Sequence, residues 1–389
     1  MRSLRFLYWL CVFLFTSGFL GFCSPMAIIK ADKQSGTAPL TVQFDASRSF
    51  CFTSAIVGYQ WDFDSNGTID AEGISTTYIY STPGAFTAKL IVRDAKGHES
   101  VATKSITVAS PISLNIVSPA NGENITQPMI MLKGTFTNVN GTETGITVNG
   151  VPVNVCGNNF TMDRIVLQDG ENTITAKATD TQGYTAETSI MVNAIIPQKY
   201  IDLAGDPVSG TSPLETRLKL SGTFNYVNPE ITYSGPLGGQ VEINPETEGG
   251  YAVKLTGEGL YYFTASAMDD EGALYTDTIG ISVMSKADLD SLLGTKLNDM
   301  KQSLTQNDIE AVLNYFSSTT KEKHRAILNE FTPEQCAELV QLLNDAQFVG
   351  MNGNNRIEYD VRVVRDSKEY SYLLVFEKDA DGLWKIRSF

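Results

Sequence analysis

Asp62, Asp64, Asn66 and Asp70 stand at the first, third, fifth and ninth places of a D-x-D-x-N-G-x-x-D string, with Gly67 at the sixth. Oxygen donors at alternating positions around a glycine turn suit calcium, a hard cation that takes about six to eight oxygens. The twelfth place holds Gly73 where a closing Glu would supply the bidentate ligand, so any ion here would be weakly held, within reach of the calcium levels outside cells. The alternative is a solvated turn in which Asp62 and Asp64 accept backbone N–H groups. The sequence leaves both open.

Other chemistries find less support. Metal-assisted hydrolysis needs convergent His, Cys and carboxylate ligands, and the chain has only His98 and His324. His98 follows the Gly97 turn and is expected to be exposed; His324 lies in a Lys-rich helical segment and is expected at the surface. A nucleophile elbow of the G-x-S-x-G type is absent, and Cys336, near the start of a capped helix, reads as a packed thiol. Paired carboxylates for glycoside hydrolysis are always present in an acidic chain and so demonstrate nothing. No catalytic residue and no organic cofactor is expected, and the chain reads as a non-enzyme. Its net charge of −15 repels nucleic acid and anionic membrane surfaces.

The acidic string must be positioned by the strand before it. Val57, Tyr59, Trp61 and Phe63 alternate with Gly58, Gln60, Asp62 and Asp64, the period of two of a strand with one buried face. Burying the indole of Trp61 is worth about 4 to 6 kcal/mol as an upper bound, so it should anchor a core. Downstream, strands beginning near Thr76 and running from Phe86 to Val92 and Val101 to Val108 are separated by turns at Ser81–Gly84 and Asp94–Gly97. Short strands and turns at this spacing predict an all-β sandwich.

SGTAPLTVQFDAS from Ser35, YQWDF from Tyr59, YIYSTPGAFTAKLIV from Tyr78 and RDAKG from Arg93 together resemble a polycystic-kidney-disease (PKD) domain. That family usually shows WDFGDG; here Asp64, Ser65 and Asn66 follow the phenylalanine, which alters the turn and leaves the sandwich expectation intact.

Aligning D-x-x-G turns uncovers a repeat. Asp94, Asp180 and Asp269 lie 86 and 89 residues apart, and each turn leads to a closing strand, SITV, SIMV or GISV. The second unit, with an Asn149-Gly150 hairpin signal, resembles bacterial immunoglobulin-like modules. The third opens with SGTSPLETRLKL from Ser209, echoing SGTAPLTVQF, yet has no Trp-Asp-Phe signature; it reads as a degenerate PKD-like sandwich.

At Lys286 the pattern changes. Leu289, Leu292, Leu293, Leu297, Met300 and Leu304 fall at helical spacing, Thr305–Asp308 can cap a second helix, and Thr332, Pro333 and Gln335 open another through a capping box. Three strands are expected after them, over 356–365, 370–377 and 383–389. The ending YLLVFEKDADGLWKIRSF resembles the last strands of the cone-shaped fold of the nuclear transport factor and ketosteroid isomerase superfamily. That resemblance implies a pocket between helices and sheet, with Tyr359, Tyr370, Tyr372 and Trp384 as candidate lining; core packing is the alternative.

Residues 1–24, with Arg2 and Arg5 before an apolar run from Phe6 to Cys23, have the layout of an export signal. Leu20 to Cys23 faintly resembles a lipoprotein cleavage box, so a lipid or an uncleaved anchor is the one route to a membrane. Cys51, Cys156 and Cys336 fall in separate regions and read as single buried thiols, with a Cys51–Cys156 bridge as the sharper alternative.

The expected architecture is a multidomain, mainly all-β chain of tandem immunoglobulin-like and PKD β-sandwiches (26–109, 112–194, 198–285) followed by an α+β domain (286–389). The expected function is exported binding and spacing, extracellular, at the cell surface or in the periplasm, with protein or polysaccharide as partner. A C-terminal domain that binds a small molecule or acts as an enzyme is the competing expectation.

Overall fold

A computed structural model of the chain describes residues 24–353, 355–365 and 367–388. The expected export signal therefore lies, except for Ser24, outside the described residues. Two compact units divide the chain, Met1–Ser110 and Pro111–Phe389.

In the first unit, Lys30–Ala31, Leu40–Asp45 and Ser75–Tyr80 form one sheet, while Ser35–Thr37, Glu99–Ala109, Gly84–Asp94, Ile56–Asp62 and Ala71–Glu72 form the other, in that spatial order. Trp61 and Phe63 are fully buried with Phe44, their ring centroids 5.6 and 4.9 Å from the Phe44 ring. The indole N–H of Trp61 donates to Gly73 O at 2.9 Å, so even its polar edge is satisfied. The predicted alternation breaks at its start: Val57 is exposed. A bulge between Ile56 and Gly58 slips the register against the neighbouring strand and turns Val57 outward.

The second unit contains two further sandwiches. One pairs the sheet of Asn124–Ile125, Thr185–Ala194, Gly170–Asp180, Thr144–Val148 and Val151–Pro152 with that of Asn154–Cys156, Asn159–Val166, Met129–Asn138 and Ile112–Ser118. Asn149 and Gly150 take φ of 49° and 79°, as a type I′ hairpin turn requires. In the other, Ile201–Asp206, Leu214–Gly222, Gly250–Thr256 and Gln240–Pro245 face Ser209–Thr211, Leu274–Met284, Gly259–Met268 and Val227–Ser234. Seven of its strands follow the order of the first unit's sheets, which gives the sequence echo a structural basis.

That echo has a packing reason. Ser35–Thr37 pairs in parallel with Thr107–Ala109, and Ser209–Thr211 with Ser282–Met284. A Cβ on Gly36 would overlap Leu40 Cδ1, and one on Gly210 would overlap Leu214 Cδ1. Each S-G-T-x-P-L segment thus uses its glycine to let the leucine four residues on fold over it.

The repeated aspartates explain themselves equally well. Asp94, Asp180 and Asp269 are all buried, and the Oδ1 of each accepts two backbone N–H groups: Lys96 and His98, Gln182 and Tyr184, Glu271 and Ala273. Gly97, Gly183 and Gly272 occupy the left-handed region at φ of 84°, 85° and 83°. One carboxylate therefore ties each hairpin into the closing strand.

After the sandwiches come α1 (Lys286–Thr305), α2 (Ile309–Leu313), α3 (Lys321–Leu328) and α4 (Pro333–Leu343), then a meander of Gln347–Asn352, Arg356–Arg365, Lys368–Lys378 and Trp384–Ser388. The Thr332/Gln335 capping box is formed with Pro333 in the first turn, and Asp308 caps α2 by accepting from Ala311 N. The sheet has a fourth strand, Gln347–Asn352, that the sequence did not disclose. His324 is buried, not at the surface: it and Leu328 fall one helical turn apart on the inner face of α3, and its ring lies 4.2 Å from that of Phe316.

Candidate functional site: an acidic turn and two charged joints

Strand Ile56–Asp62 delivers Asp62 to the end of the first sandwich, and Ser65 and Gly67, at φ of 58° and 90°, reverse the chain towards Asp70. Ligand atoms of Asp62, Asp64 and Asp70 all lie within 4.8 Å of one another. Asp62 is buried at 2% exposure because its carboxylate serves the turn, Oδ1 accepting from Asn66 N at 3.1 Å and Oδ2 from Gly67 N at 3.0 Å. Asp64 Oδ1 also accepts from Asn66 N, and Asp70 Oδ2 holds Phe63 N at 2.7 Å. Asn66 takes a different part: its Oδ1 accepts from Thr68 N and its Nδ2 donates to Asp64 Oδ2, so no amide oxygen is turned towards the carboxylates.

Among the described residues no Lys or Arg forms an ion pair with these three carboxylates. Three carboxylates so close repel one another, and each keeps lone pairs beyond those given to backbone N–H groups. Hard oxygens in that arrangement fit a calcium ion, while the hydrogen-bonded backbone can hold the turn by itself.

The other site residues of the sequence do not assemble. Tyr359 and Trp384 are core residues; Tyr370 and Tyr372 are exposed. Tyr359 donates its hydroxyl to Asp290 at 2.9 Å and is closed off from solvent, so the aromatic set lines no common pocket. Cys336 is buried and its thiol is pushed up by desolvation, the opposite of activation. Cys51 and Cys156 are half-buried where full burial was expected, and no disulfide joins any of the three cysteines. His98 is only partly exposed, its Nδ1 lying 3.2 Å from Asp94 Oδ2.

Sequence reasoning missed the charged groups buried within the second unit. Glu143, in the second sandwich, pairs with Lys296 of α1 and accepts from Trp384 N at 2.9 Å, while Lys296 also donates to Trp384 O. Lys378 donates to Val153 O at 2.7 Å and to Asn154 Oδ1 at 3.2 Å, and desolvation brings its pKa down to about 8. A Cβ on Gly145 would collide with the Asp381 carbonyl, and one on Gly382 would stand 2.6 Å from Ile146 N. These contacts fasten the C-terminal domain onto the second sandwich, while Met284 at the end of the third packs into its core. Beside them runs a cleft of about 410 Å³, with Phe136, Val155, Leu289, Leu292, Lys378 and Trp384 in its wall.

The second joint lies between the second and third sandwiches. Asp163 Oδ1 accepts from Gly280 N at 2.7 Å and Arg164 reaches across to Asp202, while Asp277 Oδ2 accepts from Leu203 N at 2.7 Å within the third sandwich. Lys133 Nζ stands 3.6 Å from the centre of the Tyr262 ring, a cation–π contact. No hydrophobic period marks such residues, because contacts such as Asp163–Gly280 and Lys133–Tyr262 exist only where one module meets another.

Comparison with known proteins agrees with this architecture. Residues 23–109 match the family model of the PKD domain, and residues 112–195 match that of glucodextranase domain B. Among solved structures, the chain is similar to the PKD1 domain of Vibrio anguillarum Epp, at 27% identity over 23% of this chain and 96% of that one, with a TM-score of 0.19. It is also similar to the PKD1 domain of the Vibrio cholerae metalloprotease PrtV, at 27% identity over 22% and 96%, TM-score 0.19. The fibronectin(III)-like modules of Clostridium thermocellum CbhA match at 11% identity over 43% and 95%, TM-score 0.19. TM-scores this low carry no argument of their own. The two family-model matches, each to part of the chain, and the sheets described above make this a protein built mostly of PKD-type and immunoglobulin-like β-sandwich modules, a kind of module typical of extracellular proteins.

Proposed function

We propose that the chain is an exported, non-enzymatic protein of the cell surface or periplasm, whose sandwiches, bounded near 26–109, 112–194 and 198–285, space and present contact surfaces for protein or polysaccharide. One observation carries this reading: the sandwich interiors are filled with side chains such as Trp61, Phe160 and Phe263, and the buried aspartates Asp62, Asp94, Asp180 and Asp269 are spent on holding turns. Among the described residues no helix is long and apolar enough to cross a membrane. The test is fractionation of producing cells with mass spectrometry of the mature N-terminus, followed by co-sedimentation of the purified protein with insoluble polysaccharides. An intact chain confined to the cytoplasm would end the proposal.

Within the first unit, Asp62, Asp64 and Asp70 are proposed as a weak calcium site, supported by their convergence and by the absence of a paired cation among the described residues. Asn66, used within the turn, is left out of that ligand set.

The cleft beside Trp384 favours a second reading, in which the C-terminal α+β domain, read as cone-shaped from its sequence ending, holds a small molecule while the sandwiches present it. Its volume falls in the range of ligand pockets, about 300–1,000 Å³. Thermal-shift screening of the full chain beside Leu292→Trp, which fills the cleft, separates the two: a ligand shift lost in the variant supports this reading, and no shift supports the first.

A further inference from the structure

Lys378 and Asn154 meet where the C-terminal domain is fastened to the second sandwich. Lys378 ends strand Lys368–Lys378, where it pairs with Trp384 and its backbone N–H donates to Asn355 O at 3.1 Å. Asn154 opens strand Asn154–Cys156 and pairs with Thr161. Each main chain is thus pinned within its own module, and the joint brings the two side chains together. Val153 O holds the Lys378 Nζ at 2.7 Å, and Asn154 Oδ1 lies 3.2 Å from that nitrogen, so the amide carbon is one bond beyond a hydrogen-bond contact. The χ2 torsion of asparagine is broad, and a rotation about it turns the face of the carbonyl towards the amine. Two groups held this way meet at an effective concentration far above any reached in solution.

The surroundings favour a nucleophile over a plain ion. The ring of Trp384 is centred 5.4 Å from Nζ, and Phe136, Val155 and Leu289 share a cleft wall with Lys378. Glu143, the carboxylate whose charge acts on Lys378, is itself paired with Lys296. Desolvation outweighs that charge and brings the amine down to about 8, so a share of it is uncharged near neutral pH. Two contacts elsewhere in the C-terminal domain supply the contrast. Lys301 Nζ donates to Asn344 Oδ1 at 2.8 Å and Lys321 Nζ to Asn314 Oδ1 at 3.3 Å, but both contacts are exposed. A solvated ammonium has no lone pair to offer.

We propose that Lys378 and Asn154 join covalently, in an isopeptide bond that ties strand Lys368–Lys378 to the second sandwich. The Nζ lone pair of the uncharged amine forms the new bond to Cγ of Asn154, and the bond from Cγ to Nδ2 breaks. Nζ gives up one proton, which leaves with Nδ2 as ammonia, so the step balances with no oxidant, reductant or further reactant. A cleft of about 330 Å³, lined by both residues, gives the ammonia its way out. The bond would do for this joint what a disulfide does elsewhere, and among the described residues the cysteines are free. This inference rests on none of the functional readings above.

Mass spectrometry of the folded full chain tests it. The linked protein should be lighter by one ammonia, about 17 Da, than its sequence requires. Because succinimides at Asn-Gly pairs lose the same mass, the digest decides: trypsin should yield peptide 134–164 joined to peptide 369–385, uncut after Lys378. Lys378→Arg and Asn154→Ala should each abolish the joined peptide. Should either variant fail to fold, the wild-type digest decides alone, since peptides 134–164 and 369–378 found separate, with none joined, overturn the proposal. A joined peptide that persists in Lys378→Arg overturns it too. The exposed Lys301 and Asn344 should stay unlinked in the same digest, and a bond between them would overturn the part given to desolvation.

Discussion

The first and third sandwiches share strand order, the S-G-T-x-P-L entry and the buried-aspartate turn, yet they differ in what fills and decorates them. In the first, Trp61 and Phe63 lead straight into the acidic turn of Asp62, Asp64 and Asp70. In the third, the core rings are Tyr261 and Phe263 on the strand that returns to the aspartate turn, and the edge strand Val227–Ser234 is almost wholly exposed. The shared parts are therefore what the fold needs, and the acidic turn is an addition to it. Function specific to the first module should be separable from its stability.

The largest effect should come from Trp61→Ala, which empties the centre of the first core and should cost about 3–5 kcal/mol. Denaturant unfolding of the full chain should then show an early transition confined to the first unit; a single unshifted transition would contradict the assignment of Trp61 as core anchor. Next is Asp180→Ala in the intervening sandwich, which strands the N–H groups of Gln182 and Tyr184 and should cost about 3 kcal/mol, read in the same experiment. Gly36→Ala and Gly210→Ala sharpen the comparison most directly. Both force a methyl against the following leucine, and both should cost about 1–3 kcal/mol. A large cost in one module and none in the other would mean that the shared entry motif does different work in each.

The turn aspartates add a pH signature. Asp269 is held at about 2, first by the hydrogen bond from Lys199 and then by the Ala273 N–H. Its contribution is fully present above the unfolded value near 3.9 and is lost as pH falls through about 2. Acid unfolding of Asp269→Asn should lose that dependence at the lowest pH. The smallest effect on stability belongs to Asp64→Ala. Calorimetry should show weak calcium heat for the wild type and none for the variant, with the unfolding midpoint changed little; calcium heat of equal size in both would remove Asp64 as a ligand.

Much of this was legible from the sequence because it depends on local period and turn chemistry. Trp61, the three D-x-x-G aspartates, Asn149-Gly150 and the Thr332 capping box were each signalled by near neighbours in sequence. What stayed hidden depends on distant parts of the chain. The bulge that exposes Val57 is set by pairing with Arg93 and Asp94; the roles of Glu143, Lys296 and Asp163 exist only once modules dock. Strand Gln347–Asn352 escaped notice because Gly350 and polar ends interrupt its short apolar run. In the acidic turn the residue types were readable, but the inward-facing hydrogen bonds of Asn66 were not.

In all three sandwiches a short segment near the start runs parallel to the closing strand: Ser35–Thr37 beside Thr107–Ala109, Asn124–Ile125 beside Asn193–Ala194, and Ser209–Thr211 beside Ser282–Met284. Tension applied at the two ends of such a module pulls these neighbours in opposite directions along their lengths. The bonds between them must then give way together, in shear, and not one after another. A module built this way resists stretching best along the line joining its two ends.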